Sequence, residues 1–251
     1  MLKDNPEQVL NNQKSSFLKE VWSVIARYKM LLLILGILLV DQLVKIWVKQ
    51  NMYPHETLGI VDGFLQLYYI ENRGMAFGTT LGAGALPKYI LSGFRLIAII
   101  AIGYYLVKNI RDRKSHKGLI FCMALIFAGA TGNLIDGMFY DFIFDLDPNV
   151  AWNWAIDGDG NFVLDEFGSP VMRPNGFMLG SVVDMFQFTL TWPSWMGQSF
   201  AGKEIFGAIW NVADFSISTG VILIILRYKT FFKKPEAVLP TEPVNPDQTS
   251  N

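Results

Sequence analysis

The sequence predicts an all-α integral membrane protein with four transmembrane helices, both termini on the cytoplasmic side, a small outer β-rich region and an inserted outer loop. Three observations carry this. Of 251 residues, 51% are hydrophobic and only 17% are charged, against about 25% charged in ordinary soluble domains. Apolar runs recur at close to the roughly 20 residues that carry a helix across a bilayer. Lys and Arg gather in alternate connections between those runs, which fixes a direction of threading.

The runs fall at 30–48, 89–107, 118–139 and 205–226, each long enough to cross once. Ahead of the first stand Lys14, Lys19, Arg27 and Lys29. Lys108, Arg111, Arg113, Lys114 and Lys117 lie between the second and third, and Arg227, Lys229, Lys233 and Lys234 follow the fourth. Cation-rich connections stay in the cytoplasm, so both ends of the chain belong there. The connection after Phe139 has the opposite sign, with Asp141, Asp145, Asp147, Asp157, Asp159, Asp165 and Glu166 against Arg173 and Lys203. Residues 1–29 are thus a cytoplasmic segment, 30–230 the membrane domain with an outer insertion near 140–180, and 231–251 a disordered tail too poor in apolar residues to pack.

Several classes are set aside. A net charge of -1 gives no basic surface for nucleic acid. Cys122, the lone cysteine, forms no intramolecular disulfide. His55 and His116 fall on opposite sides of the membrane, so no shared metal site and no cofactor are expected. The first 27 residues lack the pattern of a cleaved secretory signal. Asp157-Gly-Asp159-Gly-Asn161 resembles the opening of a calcium loop, but Phe162 and Gly168 stand where Gly and Glu are needed. A turn flanked by Trp152, Trp154 and Phe162 is expected instead.

Acids inside spans are costly and mark function by default. Asp41 and Asp136 fall in the outer halves of the first and third runs. Asp214 lies about nine residues into the fourth, roughly 14 Å below its outer end at 1.5 Å per residue. Asn133-x-x-Asp136 and Asn211-x-x-Asp214 share a spacing that places amide and carboxylate on one helix face. Small residues beside them, Gly129, Gly132, Gly207 and Ala213, let helices approach closely. Asp184, in the apolar stretch Ser181-Val-Val-Asp184-Met-Phe186, precedes the fourth run and comes within reach of Asp214. Two carboxylates sharing a site hold one proton between them and can direct water at a peptide carbonyl. The alternative is a small transporter or proton-relay protein using the same acids. Arg95, within the second run, could snorkel, pair with an acid or line a cavity, and its depth favours pairing over snorkelling.

In sequence order, the blocks Asp41-Gln42-Leu-Val-Lys45, Asn72-Arg-Gly74-Met-Ala76-Phe77, Gly129-Ala-Thr-Gly132-Asn133-Leu-Ile-Asp136, Val182-Val183-Asp184 and Asn211-Val-Ala213-Asp214 resemble those of the lipoprotein signal peptidases. That resemblance implies a four-helix aspartyl endopeptidase of the bacterial cytoplasmic membrane, active on the periplasmic side. It would cut diacylglyceryl-prolipoproteins before the lipid-modified cysteine, without metal or cofactor. It makes Asp184 and Asp214 the catalytic pair, with Asp41, Lys45, Asn72, Gly74, Asn133, Asp136, Asn211 and Ala213 supporting the site or holding substrate. It also implies binding of globomycin-type peptide inhibitors. Three departures stand out. Gly137 replaces the Arg that usually follows the third-helix acid, with Arg173 a candidate substitute. Met185 precedes Phe186 where Phe usually follows directly. The insertion separates blocks that a short linker usually joins.

Overall fold

The computed structural model describes residues 6–73, 85–112, 115–197 and 199–232, with side chains described from residue 28 onward. Helix α1 (Pro6–Asn51) is followed by a hairpin of β1 (Thr57–Val61) and β2 (Leu65–Asn72), then α2 (Ala85–Arg111) and α3 (Lys117–Ile143). After the insertion come β3 (Val182–Phe188), the short β4 (Ile209–Trp210), α4 (Val212–Leu226) and a last turn, α5 (Tyr228–Phe231). Gly74, Ala76, Phe77 and the tail from residue 233 lie outside the described residues.

Among the described residues, three helices are long and apolar enough to cross a membrane: Tyr28–Asn51 of α1, α2 and α3. Their outer faces carry the apolar surface that lipid would cover, such as Leu31, Leu35, Leu39 and Leu43 at one-turn spacing on α1 and Phe94, Ile97 and Ile100 on α2. The central helix is α3. It packs against α1, α2 and α4, and 56% of its apolar window is buried, against 22% for α1 and 17% for α2. Glycines permit this: a methyl group at Gly129 would come 2.2 Å from the Ala213 carbonyl oxygen, and one at Gly220 would come 2.7 Å from the Cys122 carbonyl oxygen. Small residues bring α3 and α4 backbone to backbone, as packing in lipid favours.

The fourth apolar run departs from expectation. Residues 205–210 are not helical; the chain passes through β4 and becomes helical only at Val212, leaving 15 residues in α4. Asn211 is the cause. Its extended backbone (φ -127°, ψ 179°) and its side chain, which accepts the Asp214 N–H, cap the helix. Asp214 therefore sits in the first turn of α4 rather than deep within a span.

The four strands form one antiparallel sheet in the order β1-β2-β3-β4. Asn72 opposes Val182 and Ile70 opposes Asp184, which makes Asn72 and Asp184 diagonal neighbours on one face. A one-residue slip would turn them to opposite faces. The register is held by a buried cluster of Val48, Met52, Leu67, Tyr69, Tyr140, Val183 and Met185, which joins the end of α1 and the body of α3 to β2 and β3. Met185, the departure noted in the sequence, is fully buried there.

The insertion is a small β-structured unit of its own. Three segments meet in a closed ring of backbone bonds: Ala155 N–H to Val171 C=O, Val171 N–H to Val163 C=O, and Val163 N–H to Ala155 C=O. The ring members are spaced by eight residues, as are two matching turns. In one, Asp157 accepts the N–H groups of Asp159 (3.0 Å) and Asn161 (2.9 Å). In the other, Asp165 accepts those of Phe167 (2.9 Å) and Ser169 (2.8 Å). Gly160 and Gly168 supply the positive φ that each turn requires. The excursion returns at Gly180, whose N–H donates to the Gly137 carbonyl at 3.0 Å.

Candidate active site

The predicted residues gather where the helical bundle meets the sheet, in two connected groups. The first surrounds Lys45, which is wholly buried. Its ammonium lies 2.8 Å from Asp41 Oδ2 and 2.8 Å from Asp136 Oδ2 and donates to Asn133 Oδ1 at 2.9 Å. Lys45 follows Asp41 by one turn, so α1 presents both on one face. Asp41 also accepts the Ala213 N–H at 2.9 Å, satisfying one of the open donors at the start of α4. Gln42 adds bonds to Asp136 (2.9 Å), Asp41 (3.2 Å) and the Gly132 carbonyl (3.3 Å), and receives the Tyr140 hydroxyl. A side chain at Gly132 would strike Asp41, 2.7 Å from its Oδ2.

The second group holds Asp184 and Asp214 through three asparagines. Asn211 Nδ2 donates to Asp184 Oδ1 at 2.6 Å, and Asn72 Nδ2 donates to Asp184 Oδ2 at 3.1 Å. Asn133 Nδ2 donates to Asp214 Oδ1 at 2.8 Å, and Asn211 Oδ1 accepts the Asp214 N–H at 2.8 Å. A bond of 3.1 Å from Asn211 to Asn133 Oδ1 closes the link between the acids. Asn133 Oδ1 also faces Lys45, so one amide joins the two groups. Burial, helped by the charge of Asp214, pushes the Asp184 carboxyl up to about 7. Asp184 is 2% exposed, whereas Asp214 is only half-buried.

Arg95 on α2 lies within electrostatic reach of Asp214, Asp184 and Asp136. Arg173 does not take the place of the absent neighbour of Asp136. It pairs instead with Asp141, at 2.5 and 3.0 Å, while Lys45 and Gln42 serve Asp136. Gly74 lies outside the described residues. Gln42 and Tyr140 were not singled out as site residues; the signal for Gln42 was its place beside Asp41, and none marked Tyr140. The eight-residue spacing of Asp157 and Asp165, of Gly160 and Gly168, and of Asn161 and Ser169 is the sequence signal for the two matching turns.

The fold and the site together define a membrane protein with long apolar helices and a cluster of buried acids at one end of its bundle, against a small sheet. A family model described as signal peptidase (SPase) II matches residues 33–230. The chain belongs to the signal peptidase II family, and is therefore a protease and a hydrolase. The lipoprotein signal peptidase of Porphyromonas gingivalis is 37% identical over 201 residues, covering 78% of this chain and 80% of that protein. That of Amoebophilus asiaticus is 30% identical over 203 residues, covering 78% and 75%. That of Syntrophus aciditrophicus is 37% identical over 120 residues, covering 47% and 73%. Among solved structures, a bacterial membrane enzyme determined by the in meso method at 2.3 Å resolution is similar with a TM-score of 0.49 and 23% identity, covering 84% of this chain and 94% of that one.

Proposed function

We propose that this protein removes the signal peptide from diacylglyceryl-prolipoproteins, cutting on the amino side of the lipid-modified cysteine with water activated by Asp184 and Asp214. The observation that carries the reading is the paired-asparagine bridge, which holds two carboxylates from different elements at one place, one buried and one half-buried. Two acids so placed share a proton. The ionised member takes a proton from water as its oxygen attacks the carbonyl, and the protonated member donates to the carbonyl oxygen. Collapse of the tetrahedral centre returns a proton to the departing cysteine amine, so the atoms balance without metal. Lys45, Asp41 and Asp136 brace the bridge through Asn133 and the start of α4. Asn72, Gly74 and Ala213 support the site or hold substrate backbone.

The proposal extends to threading. Residues 30–230 form the peptidase domain in the bacterial cytoplasmic membrane, with α4 and α5 together making a fourth crossing and the dyad on the periplasmic side. The alternation of cations along the chain supports this orientation. Globomycin-type peptides are expected to occupy the same site.

The test is cleavage of a diacylglyceryl-modified precursor peptide by purified protein in detergent, beside Asp184→Asn and Asp214→Asn. Each variant is expected to lose at least about a hundredfold in turnover, the scale of general acid and base contributions, while remaining folded, as a cooperative thermal unfolding transition would show. Substantial turnover by either variant removes that residue from the chemistry.

A further inference from the structure

We propose that a groove between the insertion and the start of α2 is a subsite for the polypeptide on the carboxyl side of the scissile bond, the part of the precursor that becomes the mature lipoprotein. The inference rests on the peptidase reading and deepens it.

The groove is a cavity of about 180 Å³ whose lining includes Ala85, Trp152, Trp154, Ile156, Arg173 and Leu179. Its walls are apolar apart from one cation. Arg173 is 8% exposed. Its two terminal nitrogens are fully engaged, by Asp141, the Pro174 carbonyl, Asn153 and the Leu179 carbonyl. Its Nε–H is buried and has no acceptor among the described residues. A buried charged donor without a partner is costly, and native proteins rarely leave one. A small turn of the Arg173 side chain would present this N–H to a peptide carbonyl lying along the groove, and aromatic walls would cover the adjoining side chain. The volume, that of about six waters at roughly 30 Å³ each, suits one apolar side chain with its peptide group.

Position selects the occupant. The Trp152 ring carries the Arg73 guanidinium 3.7 Å from its centroid. Arg73 directly follows Asn72, which donates to Asp184. The groove is thus one residue along the chain from a group that touches the proposed dyad. The signal peptide is apolar and belongs with the spans, whereas the insertion follows the end of α3 and is acidic and β-structured. A precursor anchored at its lipid-modified cysteine sends only its mature portion past that unit.

The subsite is an addition to the reaction, not a requirement of it. The Syntrophus protein, of which 120 residues make up 73%, is about 165 residues long and shares the activity's name without this chain's length. The Porphyromonas match spans 78% of this chain, and any single span of that size in 251 residues includes the insertion.

The test uses two diacylglyceryl peptides with the same signal segment and cysteine, one ending just after the cysteine and one carrying ten further residues with apolar side chains near the cysteine. The parent is expected to favour the extended peptide at least fivefold in kcat/KM, through KM. Ile156→Trp, which fills the groove, and Trp154→Ala, which removes a wall, are expected to erase that preference and leave the short peptide's kcat/KM unchanged. Equal kinetics of the parent on both peptides, or preference retained by both variants, overturns the subsite. Loss on both peptides together, with the variants still folded, points to a lipid contact and overturns it too. If the variants unfold, a photoreactive residue three positions after the cysteine is expected to label 152–156 of the parent, and labelling confined elsewhere overturns the proposal. If the parent cleaves neither peptide, the peptidase reading itself fails, and the subsite with it.

Discussion

At Asn211 one side chain performs three tasks. It caps α4, holds Asp184, and meets Asn133, so the start of a helix and the geometry of the acids are set by the same amide. The neighbouring Lys45 is of a different kind. It is buried between two carboxylates, and Lys45→Met would leave both without their cation. Removing one partner of a buried ion group costs about 3–5 kcal/mol, so this variant is expected to melt well below the parent in detergent, measurable by a thermal unfolding scan. Asp184 adds a dependence on pH. Its carboxyl is pushed up to about 7 by burial and by Asp214, against about 3.9 for an unperturbed Asp. The folded protein therefore keeps this proton to a higher pH than the unfolded chain does. The stability it contributes is fully present below about pH 4 and is lost as pH rises toward 7. Melting temperature is expected to fall across that window, and Asp184→Asn to flatten the fall. The alkaline limb of kcat/KM is expected near pH 7, where the shared proton leaves the free enzyme.

Among elements, α3 against α4 is the contact on which the site depends. Gly129 faces the Ala213 carbonyl with no room for a methyl group, and Ala213 N–H is the donor that Asp41 accepts. Gly129→Ala is expected to cost about 1–3 kcal/mol by overpacking and to lower turnover as well, since the helices can separate only by drawing α4 away from Asp41. A variant that lost stability but kept full turnover would show that the α3–α4 spacing is not what sets the acids. Much of this was legible in the chain: the apolar runs gave the three long helices, and the blocks around Asp41, Asp136, Asp184 and Asp214 gave the members of the cluster. The depth of Asp214 was not. Asn-x-x-Asp reads the same at 133–136, inside a helix, and at 211–214, where the Asn is the cap. Spacing alone cannot separate the two, because a cap is defined by backbone turning and not by periodicity.

For the whole molecule, the extended insertion offers a handle on orientation. Phe167, at one of its matching turns, is 84% exposed, while Cys122 is buried. Phe167→Cys in intact cells, with the outer membrane made permeable, is expected to react with a membrane-impermeant thiol reagent, and the parent to stay unlabelled. Labelling only after the inner membrane is opened would invert the proposed threading. The sequence announced the insertion by its acids and tryptophans but hid its architecture. Its elements are isolated β-bridges and one three-residue helical turn, below the length at which alternation can be recognised, and the repeat lies in turn residues rather than in an apolar pattern.

The bond from Gly180 to Gly137 means that the excursion departs and returns at nearly one point on α3. Closing a loop costs little more when the loop is longer, about 0.6 kcal/mol for each doubling of length. The unit hung on that neck is thus a pendant whose size the helical frame scarcely feels. Its length can change at little cost to the helical frame, while Asp41, Asp136, Asp184 and Asp214 are held by bonds among α1, α3, α4 and the sheet.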